Sequence, residues 1–360
     1  KSPRKRNHTD IIIFNKDGRD ISISRTKKIE RYFFGEDIKR AQGEGIGTIR
    51  YPERTHEIYL NRFMESLDID VIYDREFKLL MDYSFGLAST IFPSILGKMN
   101  VEALSINDFV DATRFHPDPT MEKPETDDTG KIMRSLAYEL GFRLEAGAEK
   151  ISLIDERGVW YSPNRLLTIL TKLFLETNRD REPYKIAVSI MARNEIEKIA
   201  KDYNVEVVRI KNTHMDMMEA TRDKEYLFVG GSYGGYIFTD FLFAADGMFS
   251  VGKILEMLAK TGYKISQLDE ELPRRYQYQI TVDCPWDMKG QVMRQAMEYS
   301  EDFERQLVEG VKMFFDNNSV LLLPSQEYGS FTVIGESDKY DTAVSIAKKY
   351  SAMLTQWIEA

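Results

Sequence analysis

Apolar positions recur along this chain in two rhythms, and the change of rhythm marks its elements. Short unbroken apolar runs alternate with longer stretches in which apolar residues return every three or four positions. That alternation predicts buried strands covered by amphipathic helices. Ile11, Ile12, Ile13 and Phe14 predict a strand, Asp17 and Gly18 a turn, and Ile29, Tyr32 and Phe33 a helix. Residues 57–67 carry Ile58, Tyr59, Phe63, Met64 and Leu67 at helical spacing. A strand from Lys78, a helix over Leu87 to Lys98 and a strand over Val101 to Ile106 then read as a βαβ unit. Residues 132–140 read as a helix, and Glu145 to Lys150 as an acidic loop before a strand over Ile151 to Ile154. An apolar helix follows, with Leu166, Leu167, Ile169, Leu170, Leu173 and Phe174. A second βαβ unit runs from Lys185 to Ile210. The strand Tyr226 to Val229 meets a glycine-rich loop, and Asp246 with Gly247 opens a helix through Lys260. Beyond residue 275 the strands adjoin one another (Tyr276 to Val282, Val311 to Phe315, Ser319 to Leu323, Phe331 to Gly335), which predicts an α+β module closed by a helix over Thr342 to Ile358.

Composition narrows the setting. A charged fraction of 30% and an apolar fraction of 42% are those of a globular protein. A chain of 360 residues divides into several domains that each bury a core. The net charge of −9 argues against nucleic acid as partner, the basic run Lys1 to Arg6 being read as a solvated terminus or linker. The single cysteine, Cys284, excludes an internal disulfide and fits a reducing, cytoplasmic compartment; it is expected to pack in a strand. No apolar run has the length of a bilayer, so no membrane partner is expected. The chain opens on Lys rather than Met, so it is expected to begin inside a longer protein.

The order of these pieces resembles the α-D-phosphohexomutases, the phosphomannomutase and phosphoglucomutase superfamily. The resemblance rests on Met81 to Thr90, on Phe228 to Gly235 followed by Asp246 and Gly247, and on Val308 to Lys312 with Leu323, Pro324, Ser325, Gly335 and Glu336. It implies tandem α/β domains with mixed sheets, plus a C-terminal α+β domain, the first domain being truncated. The expected divisions are 1–42, 43–130, 131–262 and 263–360.

The working loops depart from the family pattern. The family's metal loop reads Asp-Gly-Asp-Ala-Asp-Arg. Here Glu145, Ala146, Gly147, Ala148, Glu149 and Lys150 stand there. Glu145 and Glu149 are the candidate metal ligands and Lys150 a candidate charge stabiliser. The sugar loop reads Gly-Glu-x-Ser-Gly-His in the family, and its counterpart offers Gly231, Ser232, Tyr233 and Gly235 as substrate contacts without the carboxylate. The phosphate clamp has Leu323 for its arginine, leaving Ser325 and Glu327 as candidates. Ser2 falls where the family carries its phosphoserine, with His8 after it. The other histidines, His56, His116 and His214, are read as solvated or capping residues.

This set of losses resembles the mutase-like C-terminal region of bacterial mannose-1-phosphate guanylyltransferase fusion proteins. The implied role is a non-catalytic module that binds hexose phosphate, regulates or assembles a fused or associated nucleotidyltransferase domain, and uses no cofactor. A homo-oligomer is compatible with it. The alternative is an active mutase that moves a phosphoryl group between C1 and C6 of a hexose and requires Mg²⁺.

Overall fold

The computed structural model describes residues 11–35, 41–114, 128–181, 184–326 and 328–359. Ser2, His8, His116, Glu327 and most of the proline-rich stretch around Pro119 lie outside them. Two α/β units of the same topology stand at its centre. In the first, α1 (Ile23–Phe34), α2 (Thr55–Glu65) and α3 (Ile69–Arg75) precede β1 (Lys78–Asp82), α4 (Phe92–Lys98), β2 (Glu102–Ile106), α5 (Asp128–Leu136), β3 (Leu140–Leu144) and β4 (Ile151–Asp155). The second runs α6 (Pro163–Thr177), β5 (Lys185–Ser189), α7 (Glu195–Lys201), β6 (Glu206–Ile210), α8 (His214–Ala220), β7 (Tyr226–Gly230), β8 (Tyr236–Phe238), α9 (Gly247–Thr261) and α10 (Ile265–Glu271). Their sheets run β2-β1-β3-β4 and β6-β5-β7-β8. In each, only the last strand is antiparallel, joined to its neighbour by a hairpin.

One apolar core serves both units. Helices α6 and α9 lie inside it, which explains why their sequences are apolar almost all round. Phe63 of α2 closes the core against Phe249, with ring centroids 5.3 Å apart. A Cβ on Gly252 would meet the Phe63 ring at 2.9 Å, so only glycine lets α2 settle so close to α9.

The C-terminal module carries β9 (Tyr276–Asp283), α11 (Lys289–Tyr299), β10 (Glu304–Gln306), β11 (Val311–Phe315), β12 (Asn318–Pro324), β13 (Ser330–Ser337) and α12 (Tyr340–Glu359). Its sheet is antiparallel, in the order β10-β11-β12-β13-β9, and α11 and α12 cover one face. Cys284 is buried at the end of β9, where burial pushes its thiol above the ordinary range.

Several expectations are corrected. The strand expected over Ile11 to Phe14 is a single bridge between Phe14 and Asp20. The helix expected over 132–140 ends at Leu136, and β3 follows where a loop was expected. Because β3 pairs with β1, one sheet runs across the division expected at 130/131. The division at 262/263 also moves, since α10 buries Ile265 and Leu268 in the shared core. The connection from α10 to β9 spans residues 272–275.

Candidate functional site

Identical topology brings the two hairpin loops to the same end of their sheets. The β3–β4 loop, Glu145 to Lys150, closes on itself: Glu145 N–H donates to the Lys150 carbonyl at 3.1 Å, and Ala148 N–H to the Glu145 carbonyl at 2.8 Å. Two glycines hold it from either side. A Cβ on Gly86 would meet the Ala146 carbonyl oxygen at 2.7 Å, and one on Gly247 would meet that of Ala148 at 2.8 Å. The segments flagged at 81–90 and 246–247 therefore act as a cradle for this loop.

The β7–β8 loop is stitched to its edge. Ile151 N–H donates to the Gly234 carbonyl at 2.9 Å, and Lys150 bridges Gly235 in antiparallel fashion. Gly234 adopts φ +85°, open to glycine at little cost. The β3–β4 loop, with Glu145, Glu149 and Lys150, and the β7–β8 loop, with Gly231, Ser232, Tyr233 and Gly235, thus run side by side.

One charge of that edge is turned inward. Glu145 is only 6% exposed and its carboxylate lies 3.7 Å from Lys150 Nζ. Among the described residues no group of three or more His, Cys, Asp or Glu side chains is arranged to hold a metal ion. Ser232 is buried. Its N–H donates to Asn212 Oδ1 at 3.0 Å, while its hydroxyl has no protein partner among the described residues. Tyr233 leans the other way, its hydroxyl 3.7 Å from the Met191 sulfur, and packs against the apolar cluster of Ile190, Met191, Leu321, Leu323 and Ile334.

The supporting groups were only partly visible in sequence. Asp246 caps α9 through Phe249 N–H at 2.8 Å and accepts from the Tyr59 hydroxyl at 2.9 Å. Burial raises its carboxyl to about 6, and burial beside Asp246 keeps the Tyr59 phenol protonated well above its ordinary range. The Asp-Gly pair was legible as the start of a helix; its tyrosine partner, distant in sequence, was not. His214 opens α8, contacts Asp20 Oδ2 at 3.1 Å and accepts from Ala245 N–H at 3.3 Å, so it ties the N-terminal turn to the segment before α9. His56 is exposed on α2.

Ser325 lies at the tip of the β12–β13 hairpin. Its hydroxyl accepts from Tyr328 N–H at 3.0 Å. Lys289 donates to the carbonyls of Ser325, at 2.6 Å, and of Tyr328, and its ammonium stands 3.8 Å from the Trp286 ring centre. The Ser325 and Tyr328 carbonyls of this hairpin tip thus both face the Lys289 ammonium.

Residues 162–276 match the family model of phosphoglucomutase/phosphomannomutase, alpha/beta/alpha domain III. A phosphoglucomutase/phosphomannomutase of Thermococcus kodakarensis is 25% identical over 337 residues, 93% of this chain and 73% of that protein. Along most of its length the chain is similar to phosphoglucomutase/phosphomannomutase, and its residues 162–276 match that family's domain III. Solved phosphohexomutase structures share the fold. A phosphoglucomutase/phosphomannomutase family protein of Burkholderia thailandensis superposes with a TM-score of 0.79 at 16% identity, over 94% of this chain and 71% of that one. N-acetylphosphoglucosamine mutase of Aspergillus fumigatus, solved with GlcNAc-6P and magnesium, gives 0.59 at 11% identity, over 84% and 70%. Among the described residues of this phosphohexomutase-like chain, no helix is long and apolar enough to cross a membrane.

Proposed function

We propose that this chain is a phosphohexomutase-like module that binds hexose phosphate without interconverting it, and that it regulates or assembles a neighbouring nucleotidyltransferase in the cytoplasm. The observation that carries this reading is the Glu145–Lys150 pair. Magnesium demands hard oxygen ligands in near-octahedral order at short range. The β3–β4 loop sets a buried carboxylate against its own lysine and has Gly147 at the central ligand position. That donor set does not fit Mg²⁺. The β7–β8 loop supports retained binding. Its glycines keep the turn, and the Ser232 hydroxyl is left for a polar ligand, since a buried hydroxyl needs a partner.

A second reading is favoured by the relative named as a mutase along 93% of the chain. In an active mutase Ser2 would carry the phosphoryl group, Glu145 and Glu149 would hold the metal, Lys150 would offset charge, and Ser232 with Tyr233 would contact the sugar. A coupled assay with glucose 1-phosphate or mannose 1-phosphate, Mg²⁺ and a hexose bisphosphate separates the two. Binding without turnover is expected. Turnover above about 1 s⁻¹ that Ser2→Ala abolishes establishes the second reading. A thermal shift growing with ligand as ln(1 + [L]/Kd) reports the binding itself. Co-purification with a nucleotidyltransferase tests the partner.

A further inference from the structure

A cavity of about 500 Å³ opens between the two α/β units, away from the cleft. Its walls come from the segments that enter β1 and β3, from Glu156 just after β4, and from the turn between α9 and α10. The strand ends among them lie opposite the β3–β4 loop. Helix α9 spans the distance: Gly247 at its start abuts the acidic loop, and Leu258 near its end lines the cavity. The helical rise sets those two points about 17 Å apart.

Apolar lining with a few polar groups is the make-up of a small-molecule site, and the volume falls in the range of one. Phe77, Leu258 and Ile265 are buried and supply the apolar part. Tyr138 and Tyr263 are half-buried in the walls. Tyr138 packs on the cluster of Leu80, Met133 and Ile154, and Tyr263 on the shared core. Two tyrosines anchored in this way suit a flat, aromatic ligand. The charged groups are unequally committed. Arg75 pairs with Glu139 at 2.6 Å and lies 5.1 Å from the Phe77 ring centre. Glu156 accepts from the Ser266 hydroxyl through Oε1, which leaves Oε2 for a ligand donor. Gln267 accepts from the Lys264 N–H at 2.9 Å and holds that backbone in place, whereas the Lys264 ammonium has no carboxylate partner among the described residues. A fitting ligand therefore combines a flat ring, an edge of N–H donors for Glu156 and an anionic group for Lys264.

We propose that this cavity is a nucleotide site, separate from the cleft, for a base that presents adjacent N–H donors: the base packs on Tyr138 and Tyr263 and donates to Glu156, and the phosphate meets Lys264. Guanine has such an edge, two neighbouring N–H donors that a carboxylate accepts together. Uracil offers a single N–H between two carbonyls, which a carboxylate repels. Isothermal titration of the whole chain with GMP tests the site. The wild type should give saturable one-to-one binding. Lys264→Gln and Glu156→Gln should each weaken it at least tenfold, since each removes a charge-assisted contact. UMP should bind the wild type at least tenfold less tightly than GMP, and excess mannose 1-phosphate should leave the GMP affinity unchanged. Lys264 is exposed, and glutamine at position 156 still accepts from Ser266, so both variants keep the fold's contacts. Should Glu156→Gln fail to fold, Lys264→Gln and UMP decide alone. Absence of saturation at about 10 mM GMP overturns the proposal. So does GMP binding that a folded variant leaves intact, UMP bound as tightly as GMP, or competition by mannose 1-phosphate, which would place the nucleotide in the cleft.

Discussion

At the scale of the residue, the cleft depends on glycines where backbone meets backbone. Gly86→Ala drives a Cβ to 2.7 Å from a carbonyl oxygen that cannot rotate away. Overpacking of this kind costs about 1–3 kcal/mol. We expect a lower urea midpoint with unchanged slope, together with weaker hexose-phosphate binding. Lys312 gives a pH signature. Burial foremost, and then Arg209, lowers its ammonium to about 7, with Glu336 and Glu197 opposing and Arg275 adding to the shift. The unfolded chain holds the Lys312 proton up to the ordinary value of 10.5, so between pH 7 and 10.5 it binds more protons than the folded chain. Stability therefore rises with pH across that window and is indifferent to this group below it. Lys312→Met should abolish that rise, which urea titrations at pH 7 and pH 9 will read directly.

At the scale of the element, strong periodicity was legible and short irregular pieces were not. Helices α6, α9 and α12 and strands β1, β11 and β12 lie close to where their apolar patterns place them. Strand β3 was hidden because Gly141 and Arg143 break its apolar run, although that glycine is what lets β3 pass the Ile154 side chain. With β3 unseen, the boundary before it was drawn through a sheet. Strand β8, only three residues long, and β10 were missed for the same lack of pattern. The candidate site was legible as loops, since the glycines and the acidic run are local signals. Its internal pairing was not, because the stitch between Ile151 and Gly234 joins positions far apart in sequence. Gly234→Ala tests that stitch. Placing an L side chain at φ +85° costs about 1–2 kcal/mol. The Ile151 amide should exchange faster in the variant while the amides of β5 keep their protection.

At the scale of the whole molecule, two matched α/β units share a core and present their hairpins as one edge, and an antiparallel module adjoins the second unit. The aromatic cluster of Phe63, Phe241 and Phe249 joins α2 to that core. Phe63→Ala should cost about 3–5 kcal/mol and lower the melting temperature of both units together. On this scaffold the β7–β8 loop keeps a buried Ser232 hydroxyl without a protein partner among the described residues, whereas Glu145 of the acidic loop faces its own Lys150. Phosphorus NMR of the chain with mannose 1-phosphate, Mg²⁺ and hexose 1,6-bisphosphate tests that division most directly. Our account predicts that the 1-phosphate resonance broadens and shifts with protein concentration while no 6-phosphate resonance grows in; steady growth of the 6-phosphate signal, lost in Ser2→Ala, would contradict it.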